Sequence, residues 1–197
     1  MTGLATQEVV DVARDVATDV AARTAASSDL APALEKNPSA STFVVFSQEL
    51  DKQLMAFTLA NSAAASGMRV TMFFTFWGIT ALRQRAKKAM PETKSKTLMD
   101  RIFAWLLPKD SKRLPLSSLH FMGIGPRLIR WRMRRKGVAS LEEQIATARA
   151  LGVRMVLCDT SVELMGFGRD DFLEGLEVAG ATACLEAAAT SKVAMVI

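Results

Sequence analysis

Residues 68–78 read MRVTMFFTFWG, apolar on both faces of a strand, with Met72, Phe73 and Phe74 in succession. A strand with one wet face alternates. A strand covered on both faces does not, and such strands belong to parallel sheets sandwiched between helices. Three further short apolar runs carry the same message: STFVVFS (41–47), VRMVLC (153–158) and KVAMVI (192–197). Between them lie helical patterns. Residues 48–67 space Leu50, Leu54, Phe57 and Ala60 along one face and end at Gly67, where a glycine C-cap belongs. Residues 79–90 read as a helix stopped by Pro91, and 140–152 as one that opens on a Ser140–Glu143 capping box and closes at Gly152. Residues 160–166 give one or two helical turns, and 169–191 read as mostly helical with a break around residues 175–180. Strands alternating with helices predict an α/β fold, a three-layer sandwich around a mostly parallel, flavodoxin-like sheet.

Two segments fall outside the alternation. In residues 6–26, Val9, Val12, Val16 and Val20 recur at helical spacing with acids between them, and residues 27–41 hold Pro32 and Pro38 among Ser, Asn and Lys. Residues 1–40 therefore read as an amphipathic helical arm and linker, suited to packing, oligomerisation or partner binding. Residues 41–197 form the α/β domain, with an insert at 91–137 that reads as helical and basic. From Arg83 to Lys136 there are 16 basic residues against 3 acidic, a net +13, while the rest of the chain holds 9 against 17, a net −8. The +5 overall thus describes a basic insert in an acidic body.

The chain has two cysteines, Cys158 and Cys184, whose spacing matches neither a zinc site nor a CxxC motif. That usage fits a reduced, cytoplasmic protein, and the acidic N-terminus does not read as a secretory signal. The apolar run 70–77 is far short of the roughly 20 residues that cross a bilayer. No metal cluster, P-loop or dinucleotide fingerprint is present; Gly123–Pro126 (GIGP) has no preceding strand and is interrupted by proline. His120, the sole histidine, has no local acid partner and reads as an insert residue.

Cys158 ends an apolar run and is followed by Asp159, Thr160 and Ser161, residue types that begin helices. In open α/β sheets ligands and chemistry gather at the carboxyl ends of strands. A helix N-terminus there stabilises a thiolate, while the Asp159 carboxylate opposes it. Two readings stand: an exposed, ionisable nucleophile on the rim of the sheet, or one more buried strand residue. Ser47, Phe76, Trp77, Gly78, Asp159 and Thr160 would share that rim, as pocket walls or as plain loop residues. Cys184, among small apolar residues on a helix, reads as packing.

The run FVVFSQELDKQLMAFTLANSAAASGMRVTMFFTFWGITALR (43–83) resembles the opening of the DsrE/DsrF/DsrH-like family, in its larger, insert-bearing branch. Residues 114–172 are similar to it as well, with Leu-Pro, Met-Gly-x-Gly, a basic cluster, and a cysteine followed by Met-Gly. The likeness covers about residues 42–197. It implies a three-layer α/β fold, an oligomer, and sulfur trafficking: a cysteine takes sulfane sulfur as a persulfide and hands it to a partner thiol, with no metal or cofactor. Cys158 matches the family's cysteine, and Cys184 matches no motif of the family. Where relatives often carry Met-Ser-Met after the cysteine, this chain has residues 159–164, DTSVEL, which add two acids.

The expected partners are therefore sulfur-donor and sulfur-acceptor proteins and further copies of the chain. The insert mixes Phe103, Trp105, Leu106 and Leu107 with Arg127, Arg130, Trp131, Arg132, Arg134 and Arg135. Aromatics beside arginine suit either an oligomer contact or an anionic membrane surface met through Trp105, Arg130, Trp131, Arg134 and Arg135. Nucleic acid is disfavoured, because no binding module accompanies the charge. The alternatives to a sulfur relay are a small-ligand module for a nucleotide or flavin on the strand-end rim, and an oligomeric scaffold at the membrane surface.

Overall fold

The computed structural model describes residues 39–84, 111, 114–117 and 124–197. The arm up to residue 38, the expected helix beyond Gln84, and the insert residues Trp105 and His120 lie outside the described residues. The elements in chain order are β1 (Ala40–Val45), α1 (Leu50–Ala65), β2 (Arg69–Phe74), a 3-10 helix (Phe76–Leu82), α2 (Ile124–Arg135), α3 (Leu141–Ala150), β3 (Arg154–Cys158), α4 (Asp159–Leu164), a 3-10 turn (Arg169–Asp171), β4 (Glu177–Ala179), α5 (Ala181–Ala189) and β5 (Val193–Val196).

All five described strands are parallel, in the order β4-β3-β2-β1-β5. Successive connections from β1 to β4 step one way across the sheet, and the β4–β5 connection steps back. Right-handed crossovers then put the helices of the forward steps on one face and α5 on the other. The packing follows that rule. Phe43, Val45, Met72, Phe74, Met155 and Leu157 face α1 and α3 in the main core. Phe73, Val156 and Cys158 point the opposite way, toward Ala179 and Cys184. The layers are unequal: α1 buries Leu50, Ala56, Phe57 and Ala60, whereas α5 fully buries none of its own residues. On the thick side, Phe57 and Phe74 are fully buried with ring centroids 5.8 Å apart. Burial of each contributes roughly 1.5–3 kcal/mol, which anchors α1 to β2.

The fold class matches the expectation; three element boundaries do not. The strand at 68–78 ends at Phe74, because Phe76 takes φ +44, a left-handed turn, and residues 76–78 join the 3-10 helix. That 3-10 helix stands where a longer helix from residue 79 was expected, and Arg83 then bridges Phe172 in antiparallel fashion. The 169–191 stretch is not one broken helix. Gly175, at φ +79, turns the chain into the short edge strand β4, and Gly180 caps α5. A three-residue strand is too short to display a period.

The Ser140–Glu143 capping box is present. The Glu143 N–H donates to Ser140 Oγ at 3.3 Å, and the Ser140 N–H donates to Glu143 Oε2 at 2.6 Å. Ser140→Ala is expected to lower stability by about 1 kcal/mol. The check is a lower urea midpoint with an unchanged slope.

Candidate functional site

β3 ends on Cys158, and the same residue is the N-cap of α4. Of the two placements left open by the sequence, an exposed rim atom or a buried strand residue, the structure shows the buried one: Cys158 is only 7% exposed. Its cover has an apolar side, Phe73 and Val156 with Ala179 and Cys184 packed against them. The β4–α5 junction closes over it, since Cys158 pairs in register with Ala179, and a Cβ on Gly180 would lie 3.6 Å from Asp159 Oδ2. Asp159 and Thr160, the next two residues, are exposed, so the sulfur lies just beneath the surface.

The other side is polar. Ser161, on the first turn of α4, is 2% exposed. Its Oγ accepts the Phe76 N–H at 2.9 Å and lies 3.1 Å from Thr75 Oγ1. These two hydroxyls sit beside the thiol. Burial pushes the Cys158 thiol up, and the Asp159 carboxylate adds to that push. The Ser161 hydroxyl, the Ser161 N–H and the Thr75 hydroxyl together outweigh both, so the thiol is held below its ordinary value. Sγ closes no side-chain cap bond on α4. Cys184 is the opposite case. Burial and the nearby Cys158 charge push its thiol up. Among the described residues no group of three His, Cys, Asp or Glu side chains gathers that could hold a metal. The clefts at the β4 loop, at the amino ends of the strands and between α2 and α3 have volumes of about 510, 460 and 490 Å³, and Cys158 lines none of them.

A family model described as the DsrE/DsrF/DrsH-like family matches residues 38–196. The chain belongs to the DsrE/DsrF/DrsH-like family. The resemblance seen in residues 43–83 and 114–172 is thereby borne out. This DsrE-like chain is similar to the uncharacterized protein YrkE of Bacillus subtilis (strain 168), with 34% identity over 144 residues, 73% of this chain and 88% of that one. It is also similar to the sulfur carrier protein DsrE2 of Allochromatium vinosum, with 31% identity over 153 residues, 75% of this chain and 91% of that one. Among solved structures, the ychN protein of E. coli aligns with 81% of this chain and 99% of its own at 9% identity, with a TM-score of 0.45.

In this DsrE-like chain the expected rim residues divide into two groups. Phe76 joins the Cys158 surroundings through its N–H, and Asp159 and Thr160 flank the thiol. The Asp159 carboxylate is occupied by the Thr160 N–H at 2.6 Å and the Thr160 hydroxyl at 3.1 Å. Ser47 stands two strands away, at the end of β1, where its hydroxyl bonds the Glu49 carboxylate. Gly78 abuts the β1 end, and Gln53, fully buried, donates from one Nε2 to the Ser47 carbonyl at 2.5 Å and the Gly78 carbonyl at 3.3 Å. Trp77 is 37% exposed beside Phe76, whose ring lies 5.9 Å from that of Phe46. Sequence reasoning did not single out Thr75 as a site residue and read Ser161 only as a helix-starting type. Thr75 gave one faint signal, a lone hydroxyl just beyond the apolar run of β2.

The described end of the insert is the helix α2. Arg130 turns inward to Glu142 at 3.3 Å and to the Ser111 carbonyl at 2.6 Å, so it is committed to holding α2 on α3. Trp131 remains 45% exposed with the Arg135 guanidinium stacked 4.5 Å from its ring centroid. No helix among the described residues is long and apolar enough to cross a membrane.

Proposed function

We propose that this protein is a sulfur-relay protein, a sulfurtransferase that carries sulfane sulfur as a persulfide on Cys158 and passes it to a partner thiol. The observation that carries the reading is a buried thiol at the junction of β3 and α4, with the hydrogen-bonded Thr75 and Ser161 hydroxyls beside it. Burying an anion without partners is costly, and these donors offset the cost at one sulfur only. Family membership and the likeness to a protein named as a sulfur carrier support the same chemistry. In the loading step the Cys158 thiolate attacks the outer sulfur of a persulfidated donor. A new S–S bond forms on Cys158, the donor's S–S bond breaks, and the electron pair leaves on the donor thiolate. In the delivery step an acceptor thiolate repeats the exchange. Neither step needs an oxidant or a metal.

The partners in this reading are thiol-bearing donor and acceptor proteins. A second copy of the chain would cover the apolar outer edge of β5, where Met195 and Val196 are 45% and 75% exposed. The Trp131–Arg135 pair is the part of the insert that would meet an anionic membrane surface. The test of the central claim is sulfur uptake from glutathione persulfide, followed by intact mass, in the native chain and in Cys158→Ser.

Ser161→Ala probes the activating hydroxyl. It removes the largest group holding the thiol down, so the thiol moves up and the thiolate fraction at neutral pH falls. Loading at neutral pH is expected to slow by roughly three- to tenfold. The sign is checked by the pH profile. The variant's rate should rise with pH over a higher range than the native chain's, and the two should converge once both thiols are ionised. A parallel profile with no shift in its midpoint would remove Ser161 from the activation.

A further inference from the structure

Cys184 read from sequence as a packing residue, and what it packs against is the cluster that holds Cys158. Side chains alternate along a strand, so Cys158, Val156 and the neighbouring Phe73 point to the same face, and Cys184 packs against that group from α5. The register explains why. Cys158 is level with Ala179 at the end of β4, Gly180 caps α5 against the α4 start, and Cys184 lies on the first turns beyond it. Free cysteine that serves as filler is among the most buried of residue types. Cys184 is only half-buried, on a helix that fully buries none of its residues, whereas Cys158 beneath it is 7% exposed. The chain's two thiols therefore share one cluster, one activated and enclosed, the other nearer the solvent.

We propose that Cys184 is the delivery thiol of an internal two-cysteine relay, taking the sulfane sulfur from Cys158 and presenting it to the acceptor. The proposal rests on the persulfide reading above and extends it by one step. The Cys184 sulfur attacks the outer sulfur of the Cys158 persulfide. An S–S bond forms on Cys184, the S–S bond on Cys158 breaks, the electron pair stays on the Cys158 sulfur, and that sulfur takes up the proton Cys184 gives up. Cys158–S–SH and Cys184–SH become Cys158–SH and Cys184–S–SH, with no net oxidation. The contrast between the two thiols gives the direction. A thiol held low leaves readily, and one held high is the stronger nucleophile once ionised.

The experiment loads the full chain with glutathione persulfide, quenches at intervals with a thiol-alkylating reagent, and maps the extra sulfur to the Cys158 or the Cys184 peptide. Delivery is followed in parallel to thiol-bearing agarose beads, an acceptor too bulky to enter the cluster. The expected result is label on Cys158 first and on Cys184 later. Cys184→Ser and Cys184→Ala should both load Cys158 at the native rate yet deliver about tenfold more slowly or worse. Two variants of different polarity separate a lost thiol from a disturbed fold. Delivery at the native rate from both would overturn the relay, as would a Cys158–Cys184 disulfide formed with release of sulfide. If instead Cys158→Ser loads as fast as the native chain, the persulfide reading itself fails, an outcome visible before any delivery is measured.

Discussion

Serine in place of Cys158 is expected to leave a folded chain that takes up no sulfane sulfur. The substitution is close to isosteric, and the new hydroxyl has partners waiting in Ser161 and Thr75. A buried hydroxyl that finds a hydrogen bond costs about 1 kcal/mol or less relative to the thiol, so the urea midpoint should hardly move. The chemistry cannot survive. The hydroxyls that stabilise a thiolate cannot ionise an alcohol near neutral pH, and an oxygen nucleophile does not enter thiol exchange. Uptake measured by intact mass should fall to the level of the reagent alone, even though Cys184 is still present. The pH dependence of the native chain adds a second check. Because the Cys158 thiol is held below its ordinary value, loading should rise with pH and reach its plateau before an unperturbed thiol would. Undiminished uptake in Cys158→Ser would end the persulfide assignment.

The layers of the fold were legible because long-period signals carry them. The apolar residues Met72, Phe73 and Phe74 in succession mark a strand covered on both faces, and the Ser140–Glu143 box marks a helix start to the residue. β4 was not legible. It is three residues long, and its place in the sheet comes from pairing with β3, a contact no local pattern records. The site divides the same way. Cys158 at a strand end followed by helix-starting residues can be read in one dimension. Its enclosure cannot, because α5 arrives there by crossing the whole sheet from β4 to β5. Nor can the Thr75–Ser161 contact, which joins residues 86 positions apart. Nor can the neighbours of Cys184: composition around it is that of packing, and only the crossover lays it against the cluster that holds Cys158. In each case the missing information is a long-range contact; of the groups that hold the thiol down, Ser161 is local and Thr75 is the one such a contact brings.

Gly78→Ala is expected to be the most damaging single-methyl change at the rim. A Cβ at Gly78 would stand 2.1 Å from the Val45 carbonyl oxygen and 2.8 Å from its carbon, both backbone atoms of β1. No rotamer relieves that contact; the 3-10 helix or the end of β1 must move. The Val45 carbonyl already accepts the Thr75 N–H at 2.9 Å, and the Gly78 N–H donates to the Thr75 carbonyl at 2.9 Å. Displacing Gly78 therefore drags Thr75, and with it the turn that aims the Phe76 N–H at Ser161. It also pulls on the Gly78 carbonyl, which helps satisfy the buried Gln53 amide. Forced overpacking of this kind costs about 3 kcal/mol. For a chain of this size that corresponds to a fall of roughly 10 °C in Tm. Gly67→Ala is the contrast. Gly67 sits at φ +82 with nothing within 4 Å of the added methyl, so only the left-handed backbone is penalised, by about 1 kcal/mol. Calorimetry of the two variants should separate them clearly, and Gly78→Ala alone should also slow sulfur uptake, because it disturbs the two hydroxyls beside Cys158. Equal losses of stability in the two variants would mean that β1 yields to the methyl, and the rim would then be a softer structure than its close contacts imply.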